Sequence, residues 1–126
     1  MLNDQPILAT IPAKDLARAK RFYQDTLGMK IVEEREDGIK FESGEATFLL
    51  YETPFAGTAQ HTVAGWDVTD LEETMADLRS HGVTFEEYDL PGLKTVDGIA
   101  ETETVRGCWF KDSEGNILGM GQDKTA

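Results

Sequence analysis

The chain has 126 residues, 40% of them hydrophobic, which is enough for one continuous core and too little for two ordinary domains. Its formal charge of -12, from 24 acidic against 12 basic residues, repels phosphate backbones and anionic lipid, so neither nucleic acid nor a membrane surface is an expected partner. Cys108 is the only cysteine, which excludes an intrachain disulfide and a multi-thiolate metal site and suits a reducing compartment. No run approaches the roughly 18 apolar residues of a membrane helix, and Met1 to Pro6 lacks the basic-then-apolar order of a secretion signal. A cytoplasmic protein is expected.

In chain order, Ile7 to Ile11 reads as a first strand closed by Pro12. Asp15 is a helix N-cap, and Leu16, Ala19, Phe22, Tyr23 and Leu27 form one apolar stripe that ends at Gly28. Met29 to Glu34, Ile39 to Glu42 and Thr47 to Glu52 follow as β-rich segments separated by the turn pairs Asp37-Gly38 and Ser43-Gly44. After a Pro- and Gly-containing connection the pattern recurs. His61 to Val68 reads as a strand, Asp70 caps a second helix with Leu71, Met75 and Leu78 on its buried face, and Gly82 stops it. Val83 to Tyr88 is the next expected strand, then a long loop from Asp89 to about Thr104, then a hairpin of Val105 to Lys111 and Asn116 to Gln122.

The halves match at Asp15-Leu16 and Asp70-Leu71 with an offset of 55, and at Gly28 and Gly82 with an offset of 54, so one residue has been gained or lost in the helix. The pattern predicts an α+β fold of two tandem βαβββ modules, about 5–55 and 60–123, within one domain spanning 1–126.

Two stretches carry a family resemblance. Asp15-Leu16, Phe22-Tyr23 and Leu27-Gly28 resemble the first helix of the vicinal oxygen chelate superfamily of glyoxalases, extradiol dioxygenases and bleomycin-resistance proteins. Phe110-Lys111-Asp112-Ser113-Glu114-Gly115-Asn116 is similar to a turn near the end of those proteins, with Ser113 where proline is usual. On the residues themselves, Phe22 and Tyr23 read as core and Gly115 as a turn residue. The resemblance implies that the two sheets form an open curved trough, lined in the metal enzymes by one ligand from the first and last strand of each module. Those positions fall at Leu8, Leu50, Val63 and Gly119, none of which has a side-chain donor. No metal and no cofactor are therefore expected. A two-residue shift would bring Glu52 and His61 to the trough, which makes them the candidate catalytic residues.

The expected ligand-binding residues are Leu8, Thr10, Phe48, Leu50, His61, Val63, Trp109 and Gly119. Gly119 and Gly121 stand out, since glycine inside a strand often marks close approach of a ligand or backbone. The expected function is metal-independent binding of an apolar or aromatic small molecule, as in bleomycin-resistance proteins. The alternative is a glyoxalase-like lyase or isomerase, or a dioxygenase, with displaced ligands. A homodimer is the expected assembly, and the loop 89–104 reads as a lid or a dimer contact.

Overall fold

A computed structural model of the chain describes residues 1–125. β1 (Ala9–Ala13), α1 (Leu16–Arg21), β2 (Lys30–Arg35), β3 (Gly38–Ser43) and β4 (Ala46–Glu52) make the first module. The second contains β5 (Thr62–Asp67), α2 (Leu71–Ser80), β6 (Asp89–Leu90), β7 (Leu93–Lys94), β8 (Ala100–Glu101), β9 (Val105–Lys111) and β10 (Ile117–Asp123). The two four-stranded sheets have equivalent orders, β1-β4-β3-β2 and β5-β10-β9-β8, with β1 parallel to β4 and β5 parallel to β10. This is the α+β duplication that the sequence predicts. No helix among the described residues is long and apolar enough to cross a membrane.

Both helices start as their caps dictate: Asp15 accepts from the Arg18 N–H and Asp70 from the Glu73 N–H, each at 3.0 Å. Their ends explain the change of offset. α1 widens over Phe22–Thr26 into a turn of π-helix, the structural form that a single inserted residue takes, whereas α2 stays regular. The same bond closes both helices, Met29 N–H to the Tyr23 carbonyl at 2.9 Å and Val83 N–H to the Leu78 carbonyl at 3.0 Å. Tyr23 and Leu78 are thus structural counterparts.

Two expected elements differ. Pro12 lies inside β1 rather than after it; β1 is a sheet edge, where the missing N–H leaves no neighbour unpaired. Val83 to Tyr88 does not form a continuous strand: Phe85 bridges Phe110, Glu86 N–H reaches the Trp109 carbonyl at 2.8 Å, and the chain then leaves the sheet. The Glu87 carboxylate draws it away by accepting from Thr95 Oγ1 at 2.9 Å and from the Gly98 N–H. The short β8 takes the vacated edge beside β9.

One hydrophobic cluster spans both modules, with Tyr23, Phe41 and Phe48 in the first and Leu71, Met75, Phe110 and Leu118 in the second. Aromatic contacts such as Phe41 on Phe48, 5.3 Å between centroids and 10° between planes, contribute about 1 kcal/mol each beyond burial. The modules are also tied by the β9–β10 turn, which reaches into the first module. Asp112 accepts the buried Tyr23 hydroxyl at 2.6 Å and the Glu114 and Asn116 N–H groups at 2.9 Å. Asn116 Nδ2 donates to the Pro12 carbonyl at 2.7 Å. Glu114 Oε1 accepts from the Lys14 and Asp15 N–H groups at 2.9 Å, at the start of α1, and Arg18 pairs with both carboxylate oxygens at 2.8 and 2.9 Å. Gly57, with φ of 76°, completes the junction; a Cβ there would collide with the Glu114 carbonyl oxygen.

Burial pushes the Glu114 carboxyl up, but hydrogen bonds from Arg18, Asp15 N–H and Ser113, with the Arg18 charge, overcome this and hold it at about 2. A folded value below the ordinary 4.5 means that the interaction stabilises fully above about pH 4.5 and is lost as pH falls through about 2. Glu114→Gln is expected to lower stability by about 3 kcal/mol near pH 7, measured by urea denaturation. The gap to the parent protein should close progressively below about pH 4.5.

Candidate ligand-binding site

Each sheet buries one face under its helix and leaves the other open. In the second sheet Leu118, Met120, Cys108 and Phe110 point into the core. Burial pushes the Cys108 thiol up to about 11, so it is not an activated nucleophile. The alternate positions of the same strands form the open face, and they are mostly glycine: Gly65 pairs with Gly119, and Gly121 lies between Asp67 and Gly107. Trp109, opposite Gly119, lies over this floor, with a Cβ at Gly119 falling 3.3 Å from its indole. Tyr88 packs edge-on against Trp109 at 5.7 Å and 77°. A recess of about 480 Å³ results, bounded by Thr62 and Asp67 on one side and by Lys94, Glu101 and Thr102 on the other.

The loop 89–104 forms the second wall and is itself ordered into hairpin β6–β7 and strand β8. Its base is fixed: Thr95 Oγ1 accepts from the Tyr88 N–H at 2.8 Å, and Arg79 lies 5.0 Å over the Phe85 ring and donates to the Asp97 carbonyl at 3.4 Å. Leu90, at its tip, is exposed. On the charged side of the recess, Glu101 is already neutralised by Lys124 at 2.7 Å and Arg106 at 3.4 Å, and the Lys124 hydrogen bond leads in lowering its pKa. Asp67 and Lys94 have no ion-pair partner among the described residues.

Of the expected ligand-binding residues, Trp109 and Gly119 meet in this recess. Val63 is half-buried against the shared core, His61 is exposed just before β5, and Leu8 and Thr10 are exposed at the first sheet. Phe48 and Leu50 do not face a trough. Leu50 pairs with the buried Ile11 and Ile39, and Phe48 packs on Tyr23 at 5.5 Å, so both lie beneath α1. Leu49, paired with Thr10, is the true counterpart of Gly119, which pairs with Gly65. The run Phe48-Leu49-Leu50-Tyr51 is apolar throughout, so a period of two cannot reveal which members face the helix. Glu52 shares their phase at the exposed end of β4. Tyr88 packs on Trp109 at the margin of the recess without lining it, and Phe55 is exposed.

The family's metal does not fit this chain. Its four ligand positions hold apolar side chains or none, and using Leu49 instead of Leu50 supplies no donor. No group of three or more His, Cys, Asp or Glu side chains able to hold a metal occurs among the described residues.

The sequence profile of the Glyoxalase/Bleomycin resistance protein/Dioxygenase superfamily matches residues 7–118, and the chain belongs to that superfamily. No curated protein sequence matches significantly. Among solved structures, TnmS3, an antibiotic binding protein from Streptomyces sp. CB03234, superposes with a TM-score of 0.71 at 21% identity, over 93% of each chain. Lactoylglutathione lyase from Agrobacterium tumefaciens gives 0.69 at 17% identity, over 94% of this chain and 93% of that one. The fosfomycin resistance protein FosX from Listeria monocytogenes gives 0.69 at 11% identity, over 93% and 91%. At these identities the likeness is one of fold.

The floor itself is testable. A Cβ at Gly65 would lie 2.9 Å from the Gly119 carbonyl oxygen, whereas one at Gly121 meets only ordinary contact at 3.9 Å. Gly65→Ala is expected to cost about 1–3 kcal/mol in urea denaturation and Gly121→Ala to stay within about 0.5 kcal/mol of the parent.

Proposed function

We propose that this protein binds a planar aromatic small molecule on the open face of its second sheet, without a metal, in the manner of bleomycin-resistance proteins. The observation that carries this reading is the floor of Gly65, Gly107, Gly119 and Gly121 beneath Trp109. Absent side chains leave a flat slot beside an indole, a shape suited to a stacked ring. Backbone so bare is costly inside a strand unless something approaches it closely. The resemblance of fold to TnmS3 supports the reading. The net charge of -12 favours a cationic compound through long-range attraction, while the slot recognises the ring. The uncovered open faces are expected to be closed in a homodimer.

Titration with 9-aminoacridine, a planar aromatic cation, tests this through quenching of tryptophan emission. Saturable quenching is expected for the parent protein, with affinity reduced at least about ten-fold in Trp109→Ala and in the slot-filling Gly121→Leu. Unchanged affinity in both variants would rule out this slot as the binding site.

A further inference from the structure

The duplication gives each corner of one module a counterpart in the other, and one such pair is filled differently. The turn between β9 and β10 is five residues, Asp112 to Asn116, and it plugs the corner at the start of α1, where the Tyr23 hydroxyl meets Asp112. Its counterpart between β3 and β4 has only Gly44 and Glu45. Beside that shorter turn, Ser43 at the end of β3 meets the second module through its Oγ, which accepts from Trp66 Nε1 at 3.0 Å. Leu78, the counterpart of Tyr23, has no hydroxyl to reach across.

The corner therefore stays unfilled as a recess of about 500 Å³ on the helix side of the sheets, with Trp66 and Met120 forming the partition between it and the slot under Trp109. Leu27, Met29, Val68, Leu78 and the Trp66 indole line it. Lys30 and Glu42 also line it and are direct cross-strand partners, so opposite charges stand side by side with no net sign. Void of this size against apolar walls forfeits the packing that the equivalent corner enjoys, and its volume lies in the range of small-molecule pockets.

We propose that this inter-module recess is a second small-molecule site, which takes an uncharged aromatic compound in the place that the chain's own turn fills on the opposite side. Its occupant stacks near Trp66 and bridges α2 to the β3–β4 turn, as Tyr23 and Asp112 bridge α1 to the β9–β10 turn. Lys30 and Glu42, of opposite sign on neighbouring strands, give the recess no net charge with which to attract an ionic ligand. The proposal goes beyond the slot under Trp109 and stands or falls separately from it.

N-phenyl-1-naphthylamine, a neutral aromatic dye that brightens in apolar surroundings, is the probe. Saturable brightening is expected with the parent protein, at least about ten-fold weaker in Thr74→Trp and Leu78→Phe, which fill the recess, and within about two-fold of the parent in Gly121→Leu, which blocks only the slot. Thermal melts by circular dichroism establish that the variants fold. A measurement independent of the recess variants is the indole N–H resonance of Trp66 in Gly121→Leu, which should shift on addition of the dye. An unmoved Trp66 resonance, binding abolished by Gly121→Leu, or full affinity in folded recess variants would each overturn the proposal. So would binding that falls as protein concentration rises, which would mean that a second copy of the chain occupies the recess.

Discussion

The hydrogen-bonded turn Asp112–Asn116 is the constraint on which the rest of the structure depends. Two carboxylates without bulk solvent are costly unless every oxygen finds donors, and here Tyr23, Arg18, Asn116, Ser113 and backbone N–H groups supply them. Because those donors come from the link before α1, from α1 with its π turn and from the β9–β10 turn itself, charge satisfaction requires the second module to dock at one place on the first. The shared core then closes beneath both helices, with Tyr23 and Phe110 among its fully buried members.

Differences between the repeats set the two candidate sites apart. The paired positions Thr10 with Leu49 and Pro12 with Tyr51 on the first sheet correspond to Gly65 with Gly119 and Asp67 with Gly121 on the second. One open face is thus clothed in side chains and the other is stripped at Gly65, Gly107, Gly119 and Gly121, among which Asp67 and Trp109 stand. The turns diverge in the same way: a five-residue plug at one corner and a two-residue turn at the other. Duplication supplied two equivalent frameworks, and loss of side chains in one and of chain length in the other supplied two spaces.

The fold was legible because its signals are local and redundant. Asp15 and Asp70 cap, Gly28 and Gly82 stop, and the one-residue offset between the halves is the π turn of α1. The site was legible only in part. Gly119 and Gly121 stood out as unusual in a strand and Trp109 as a candidate pocket residue, but Gly107 and Asp67 joined them only through strand pairing, which lies outside local periodicity. Phe48 and Leu50 were assigned to the wrong face because an apolar run on both sides of a strand hides its phase, and no single-sequence signal corrects that. Val83 to Tyr88 looked like a strand because its composition suits one; its departure from the sheet depends on Glu87 bonding residues about ten positions later. The spacing from Tyr23 to Asp112 likewise gave no local sign that the two would meet.

The metal-free binding proposed for the bare floor beneath Trp109 rests on an aromatic ligand stacking there with no metal taking part. Isothermal titration of 9-aminoacridine into protein dialysed against EDTA, repeated after addition of zinc or manganese, measures this most directly. Equal affinity and stoichiometry with and without metal are expected; binding that appears only when metal is restored would contradict a metal-free site.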